Sequence, residues 1–98
     1  MSVYMIIEVE VTDPQPYAEY VAKVPAVIAQ FGGKYLARGP ATPLSGNWKP
    51  ERIIVIEFPS QEQLHNCFGS DEYRKIAPLR EQSAAGKSIV VEACQPIT

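Results

Sequence analysis

Histidine, cysteine and tryptophan are scarce: one, two and one in 98 residues. His65, the sole histidine, is flanked by Asn66 and Cys67. No second histidine or carboxylate stands at i+4 from it in a metal pattern, so a surface or capping role is expected and no metal centre. Cys67 and Cys94 lack a C-x-x-C partner, and both are expected as small buried hydrophobes in a reducing compartment. Lysine and arginine number 9 against 11 acidic residues, a net charge of −2 with no basic stripe. That balance argues against nucleic acid and against an acidic membrane surface as partners. No stretch approaches the roughly 20 apolar residues of a membrane span. The leading MSVYMIIEVEV holds glutamates in a short apolar run without a basic segment, so no signal peptide and a cytoplasmic location are expected. Nucleophile-elbow, P-loop and dinucleotide fingerprints are missing. GPATPLSG has glycines but neither the lysine nor the strand-to-helix context that phosphate binding needs, and no cofactor is expected.

What is present is ordinary globular composition, with 46% apolar and 20% charged residues. The length allows one domain, residues 1–98, whose thin core would gain from a partner subunit. Val3, Met5, Ile7, Val9 and Val11 alternate with Tyr4, Ile6, Glu8 and Glu10, the period of a strand. Asp13 is placed as an N-cap and Pro14 as a first helical residue. Tyr17, Val21, Val24, Ile28 and Phe31 then recur at helical spacing with Tyr20 beside them. Pro25 predicts a kink or break near Lys23–Val24, and Gly32-Gly33 a left-handed stop.

A short strand is predicted over Lys34–Gly39, a long loop through GPATPLSGNWKPE, and a third strand over Arg52–Phe58. Ser60 and Gln63 form a capping box for a second helix carrying Leu64 and Phe68. Gly69-Ser70-Asp71 interrupts it. A further turn or two is predicted through Tyr73, Ile76 and Leu79, with Pro78 opposing a long regular helix. The last strand is predicted over Ser88–Ala93, with a short tail after it.

The order β-α-β-β-α-β with right-handed crossovers gives an α+β fold. Its four-stranded antiparallel sheet has the order 4-1-3-2, with the helices on one face. The uncovered face should be polar in a monomer. Here Ile53 and Val55, or Ile54, Ile56 and Phe58, are apolar on either parity, Tyr4 and Ile6 share the minor face of the first strand, and Val90 opposes Ile89 and Val91. Closure against a second copy's sheet through a two-fold axis is the simplest answer. The other is that the tail or the long loop folds over the face.

Three segments, GGKYLARG, NWKPERIIVIEF and SDEYRKIAPLR, together with DPQPYAEYVAKVPAVIAQFGG, resemble the domain of unknown function 1330 family, short proteins widespread in bacteria. The resemblance covers nearly the whole chain. It implies a ferredoxin-like fold of the dimeric α+β barrel type and no particular reaction.

Strand directions bring Glu8, Glu10, Asp13, Arg38, Gly39, Arg52 and Ser88 to one end of the sheet, with Tyr17, Tyr20, Arg80, Ser83 and the loop bearing Trp48. Arg38 and Arg52, on neighbouring strands, are candidates for a carboxylate clamp, or else they pair with Glu8 and Glu10. Tyr17 and Tyr20 offer hydroxyls to a ligand or pack their rings on the sheet. Trp48 is a lid or an anchor in a partner subunit. Tyr73 and Arg80, two turns apart on one helical face, form a structural pair or join the ligand site. Two functions remain open. One is a homodimer binding a small anionic or aromatic metabolite at the rim. The other is a cofactor-independent enzyme, monooxygenase- or isomerase-like, on a small organic acid, in which Asp13 or Glu8 moves a proton.

Overall fold

A computed structural model of the chain describes residues 1–94. The tail expected after the last strand lies from residue 95 outside the described residues. The first strand, β1, spans Val3–Val11 and is followed by helix α1, Pro14–Gln30. Strands β2, Lys34–Pro40, and β3, Arg52–Phe58, come next, joined by the long loop. Helices α2, Gln61–Phe68, and α3, Asp71–Ser83, lead into β4, Ala84–Glu92. The sheet order is β2-β3-β1-β4 with every neighbouring pair antiparallel, the topology the element order implied. No helix among the described residues is long and apolar enough to cross a membrane.

Register explains the core. Val3, Met5, Ile7 and Val9 stand opposite Phe58, Ile56, Ile54 and Arg52, so these residues share one face of the sheet. Val3, Ile7, Val9, Ile54, Ile56 and Phe58 are buried there under the helices. From α1 come Tyr17, Tyr20, Val24, Val27 and Ile28, from α2 Leu64 and Cys67, and from α3 Ile76. The buried stripe of α1 therefore takes in Tyr20 and Val27, while Val21 and Phe31 pack at its margin. Cys67 is buried as expected; Cys94 is exposed.

Helix ends follow local chemistry, with one exception. Gly32 adopts φ +77°, its N–H donating to the Ala29 carbonyl and that of Gly33 to Ile28, a Schellman stop. Ser60 Oγ accepts from the Gln63 N–H at 3.1 Å, and Ser70 Oγ accepts from the Tyr73 N–H at 3.1 Å. Asp13 occupies the N-cap position of α1, yet its side chain makes no capping bond. The third helical residue is Pro16, so one of the N–H groups that a cap usually satisfies does not exist there.

Two expectations change, the extent of α3 and the start of β4, and of the kink or break expected at Pro25 the break does not occur. Helix α1 runs through Pro25 without a break, and α3 runs through Pro78 for 13 residues. Buried Tyr20, Val24, Val27 and Ile28 hold α1 on both sides of its proline, so tertiary packing outweighs one lost backbone bond. β4 begins at Ala84, not Ser88, because Ala84–Lys87 pair with Val11–Glu8 of β1. A Cβ at Gly86 would run into the Glu8 carbonyl, so glycine is what allows this close approach.

Tyr4, Ile6, Val55, Ile89 and Val91 lie on the face opposite the helices, as the pairings of Tyr4 with Val91 and of Ile6 with both Val55 and Ile89 require. Ile89 is 60% and Val91 44% exposed. The molecule is a two-layer slab, 16 Å through its thinnest axis.

Candidate functional site

The pleat divides the residues gathered at the rim into two sets. Val9 pairs with Arg52, which puts Arg52 on the helix side, while Glu8 and Glu10 point to the open side. Glu8 and Glu10 therefore do not pair with the arginines within the chain. Glu8 Oε1 instead accepts from Trp48 Nε1 at 3.3 Å, and its Oε2 lies 3.7 Å from Lys87 Nζ. Trp48, 57% exposed, rests over an open hollow of about 280 Å³ bounded by Ile6, Ile53 and Ile89. It is no lid over the helix-side site. Asp13 sits exposed at the start of α1 and is not part of the cavity wall described next.

On the helix side a cavity lies between α1, α3 and the sheet. Tyr17, Tyr20, Tyr35, Arg38 and Arg80 supply its polar groups, and Val24, Ile28, Ile54, Ile56 and Phe68 much of its apolar wall. Four of the residues expected at the rim thus meet here, and Tyr73 stands directly behind, its hydroxyl 3.0 Å from that of Tyr20. The Tyr20 ring lies 6.2 Å from that of Tyr17, and it meets Tyr73 edge-on at 6.4 Å. Phe68 meets Tyr73 edge-on at 4.8 Å, so the tyrosine pair is fixed from behind. The free space is about 30 Å³, room for one or two waters.

Tyr35 was not foreseen. Plain alternation would put it and Arg38 on opposite faces of β2. A bulge between Tyr35 and Ala37 makes Leu36 the extra residue, so Tyr35 pairs with Ile56 and Arg38 with Ile54, both on the helix side. The Arg38 guanidinium then lies 5.0 Å from the centre of the Tyr35 ring. A bulge is set by pairing with another strand, so the local sequence carried no signal for it.

The electrostatics favour donors. Burial, reinforced by the hydrogen bond to Tyr73, pushes the Tyr20 hydroxyl far above its ordinary value. Burial likewise pushes Tyr35 up to about 12, against the lowering pull of Arg38. Among the described residues no carboxylate lines the cavity. The ion pairs among the described residues join Glu19 to Lys23, Asp71 to Arg74 and Glu8 to Lys87, and leave Arg38 and Arg80 out. Arg52 lies outside the cavity wall, its buried Nε without a hydrogen-bond partner. No cluster of three His, Cys, Asp or Glu suited to a metal exists among the described residues.

Residues 2–94 match the family model described as Domain of unknown function (DUF1330). The chain belongs to this family. Among solved structures, a protein of unknown function from Rhodopseudomonas palustris aligns with a TM-score of 0.81 at 19% identity, over 97% of this chain and 84% of that one. A cofactor-independent oxygenase from Streptomyces nogalater aligns with a TM-score of 0.71 at 10% identity, over 98% and 96%. A dimeric protein of unknown function with a ferredoxin-like fold, from Bacteroides fragilis, aligns with a TM-score of 0.52 at 10% identity, over 94% and 96%. No match was found among curated proteins. At these identities the likeness establishes the fold of this DUF1330 member, which is ferredoxin-like. Its cavity chemistry has to be argued from its own residues.

Proposed function

We propose that this DUF1330 chain binds a small organic anion with an aromatic or apolar body in the cavity between helices and sheet. The observation that carries this reading is two arginines and three tyrosines on one cavity, with no carboxylate among the described residues of its wall. An arginine without an acidic partner is available to a ligand anion, and the tyrosine and phenylalanine rings accept a flat apolar body. The free space is about 30 Å³, far below the roughly 300 Å³ of a small ligand pocket, so entry needs side chains to move. Arg38 is exposed on the edge strand β2 and stacks on Tyr35, which makes this pair the part of the wall that swings out most easily.

The assembly we propose is a homodimer closed through the open sheet face. The chain exposes 6558 Å², whereas a compact monomer of 10.8 kDa exposes about 5500 Å². The surplus is of the order of one partner's share of a standard interface, about 800 Å². The dimeric relative of like fold supports the same assembly.

The second reading is a cofactor-independent enzyme on a small organic acid, supported by the fold shared with the Streptomyces oxygenase. Proton transfer by Asp13 or Glu8 fits it poorly. Glu8 is on the opposite sheet face, and Asp13 is outside the cavity wall. Tyr20 and Tyr35 stay protonated at neutral pH and act as donors rather than bases. We therefore favour binding.

Thermal unfolding in the presence of benzoate and other small organic acids tests the site. A ligand at a hundred times its Kd stabilises by about 2.7 kcal/mol. Arg38→Ala and Arg80→Ala should each reduce the shift, Arg38→Ala the more, while Lys49→Ala, beside Glu8 and Glu10 on the other side of the sheet, should keep it. Equal shifts in all three variants would show that the arginines do not hold the anion.

A further inference from the structure

The donor and acceptor inventory of the cavity points to a more specific ligand, and this inference rests on the anion site just proposed. Each guanidinium offers only donors. The Tyr20 and Tyr73 hydroxyls bring two protons to one shared bond of 3.0 Å, so one proton of the pair remains to be given. Arg38 is exposed and Tyr20 buried, and the wall they share with Tyr17 and Tyr35 is otherwise apolar, with residues such as Val24, Ile28 and Phe68. Donors thus stand at the exposed and at the buried part of one wall whose remaining lining is apolar. We propose that the cavity takes an aromatic acid carrying two oxygen functions. Its carboxylate meets Arg38 at the mouth, and a second, uncharged carbonyl oxygen accepts from the Tyr20–Tyr73 hydroxyl pair beside Arg80.

The same inventory excludes other classes. A cationic or amine ligand would find two guanidinium groups and only the hydroxyl lone pairs as acceptors, and like charge would repel it. A plain apolar ring would leave the inner hydroxyl proton without a partner. A carbonyl group attached to the ring para to the carboxylate removes that penalty. Burial around Tyr20 keeps its proton in place over the whole neutral range, so this recognition should not vary with pH between 6 and 8.

Titration calorimetry with benzoate, 4-acetylbenzoate and benzamidine, on the wild type and on Tyr20→Phe, Tyr73→Phe and Arg38→Ala, tests the idea. The acetyl oxygen should strengthen binding over benzoate by about tenfold, the value of one hydrogen bond to a buried neutral donor. Tyr20→Phe should bring the two acids to equal affinity without weakening benzoate. Tyr73→Phe keeps the ring packed on Phe68 and should reduce the advantage in part, which preserves the test if Tyr20→Phe folds poorly. Arg38→Ala should weaken both acids alike, and benzamidine should not bind. Equal affinity of the two acids for the wild type overturns this inference while leaving the anion site standing, as does an acetyl advantage that survives both phenylalanine variants. No binding of either acid overturns both.

Discussion

Gly86 and Gly39 lie on β4 and β2, the two outer strands of the sheet, and the structure predicts opposite results for the same substitution. At Gly86 a Cβ would strike the Glu8 carbonyl, a backbone atom held in the β1–β4 ladder that cannot swing aside as a side chain would. Relief requires the two strands to part locally. Overpacking of this kind costs about 1–3 kcal/mol, and one or two weakened ladder bonds add about 1 kcal/mol each. The lower entropy of the unfolded alanine chain returns about 0.4–1 kcal/mol. The net expectation for Gly86→Ala is a loss of about 2–3 kcal/mol, a large fraction of a typical 5–15 kcal/mol stability. At Gly39 an added Cβ meets nothing within 4 Å, and its φ is not positive. Gly39→Ala should therefore be neutral or stabilising by up to about 1 kcal/mol. Urea unfolding followed by circular dichroism reads both as shifts of the midpoint at constant slope. For a domain of this size the heat-denaturation midpoint of Gly86→Ala should fall by about 10–20 °C. A change below 0.5 kcal/mol at Gly86, or a larger loss at Gly39 than at Gly86, would refute the close approach of β4 to β1.

Three further outcomes follow from the same geometry. Tyr20 and Tyr35 hold their protons more tightly folded than unfolded, so stability should be full below pH 10 and fall as the pH rises toward about 12. Absorbance at 295 nm should show late phenolate formation, and Tyr35→Phe should flatten the alkaline loss of stability. Light scattering on a sizing column should give twice 10.8 kDa, with Ile89→Lys on the open face producing a folded monomer and Val90→Lys on the opposite face leaving the dimer intact. A monomeric wild type at micromolar concentration would contradict the proposed assembly. With a thiol reagent under native conditions Cys94 should react at once. Cys67, buried and with its thiol pushed up to about 11, should react only on unfolding; two fast thiols would contradict the packing around α2.

Most of the fold was legible because its signals are local. The alternation from Val3 to Val11, the Asp13-Pro14 start, the Gly32-Gly33 stop and the Ser60 cap depend on residues within a few positions of one another, and each element formed where they stand. The element order then left one open antiparallel arrangement. The site was legible only in part. Tyr17, Tyr20, Arg38 and Arg80 were expected at one rim and do share one cavity. Trp48 and Glu8 were expected there too and belong to the other face, while Asp13 stays outside the cavity wall.

What the sequence by itself determined is periodicity, element order and a sheet with apolar residues on both faces, because side-chain alternation and turn chemistry act over short distances. What only the tertiary structure decided is phase and extent. The bulge at Leu36 rotates Arg38 onto Tyr35, the β1 ladder draws Ala84–Lys87 into a strand, and packing on the core carries α1 through Pro25. Each of these is a choice between locally similar conformations, and partners far away in the chain make it.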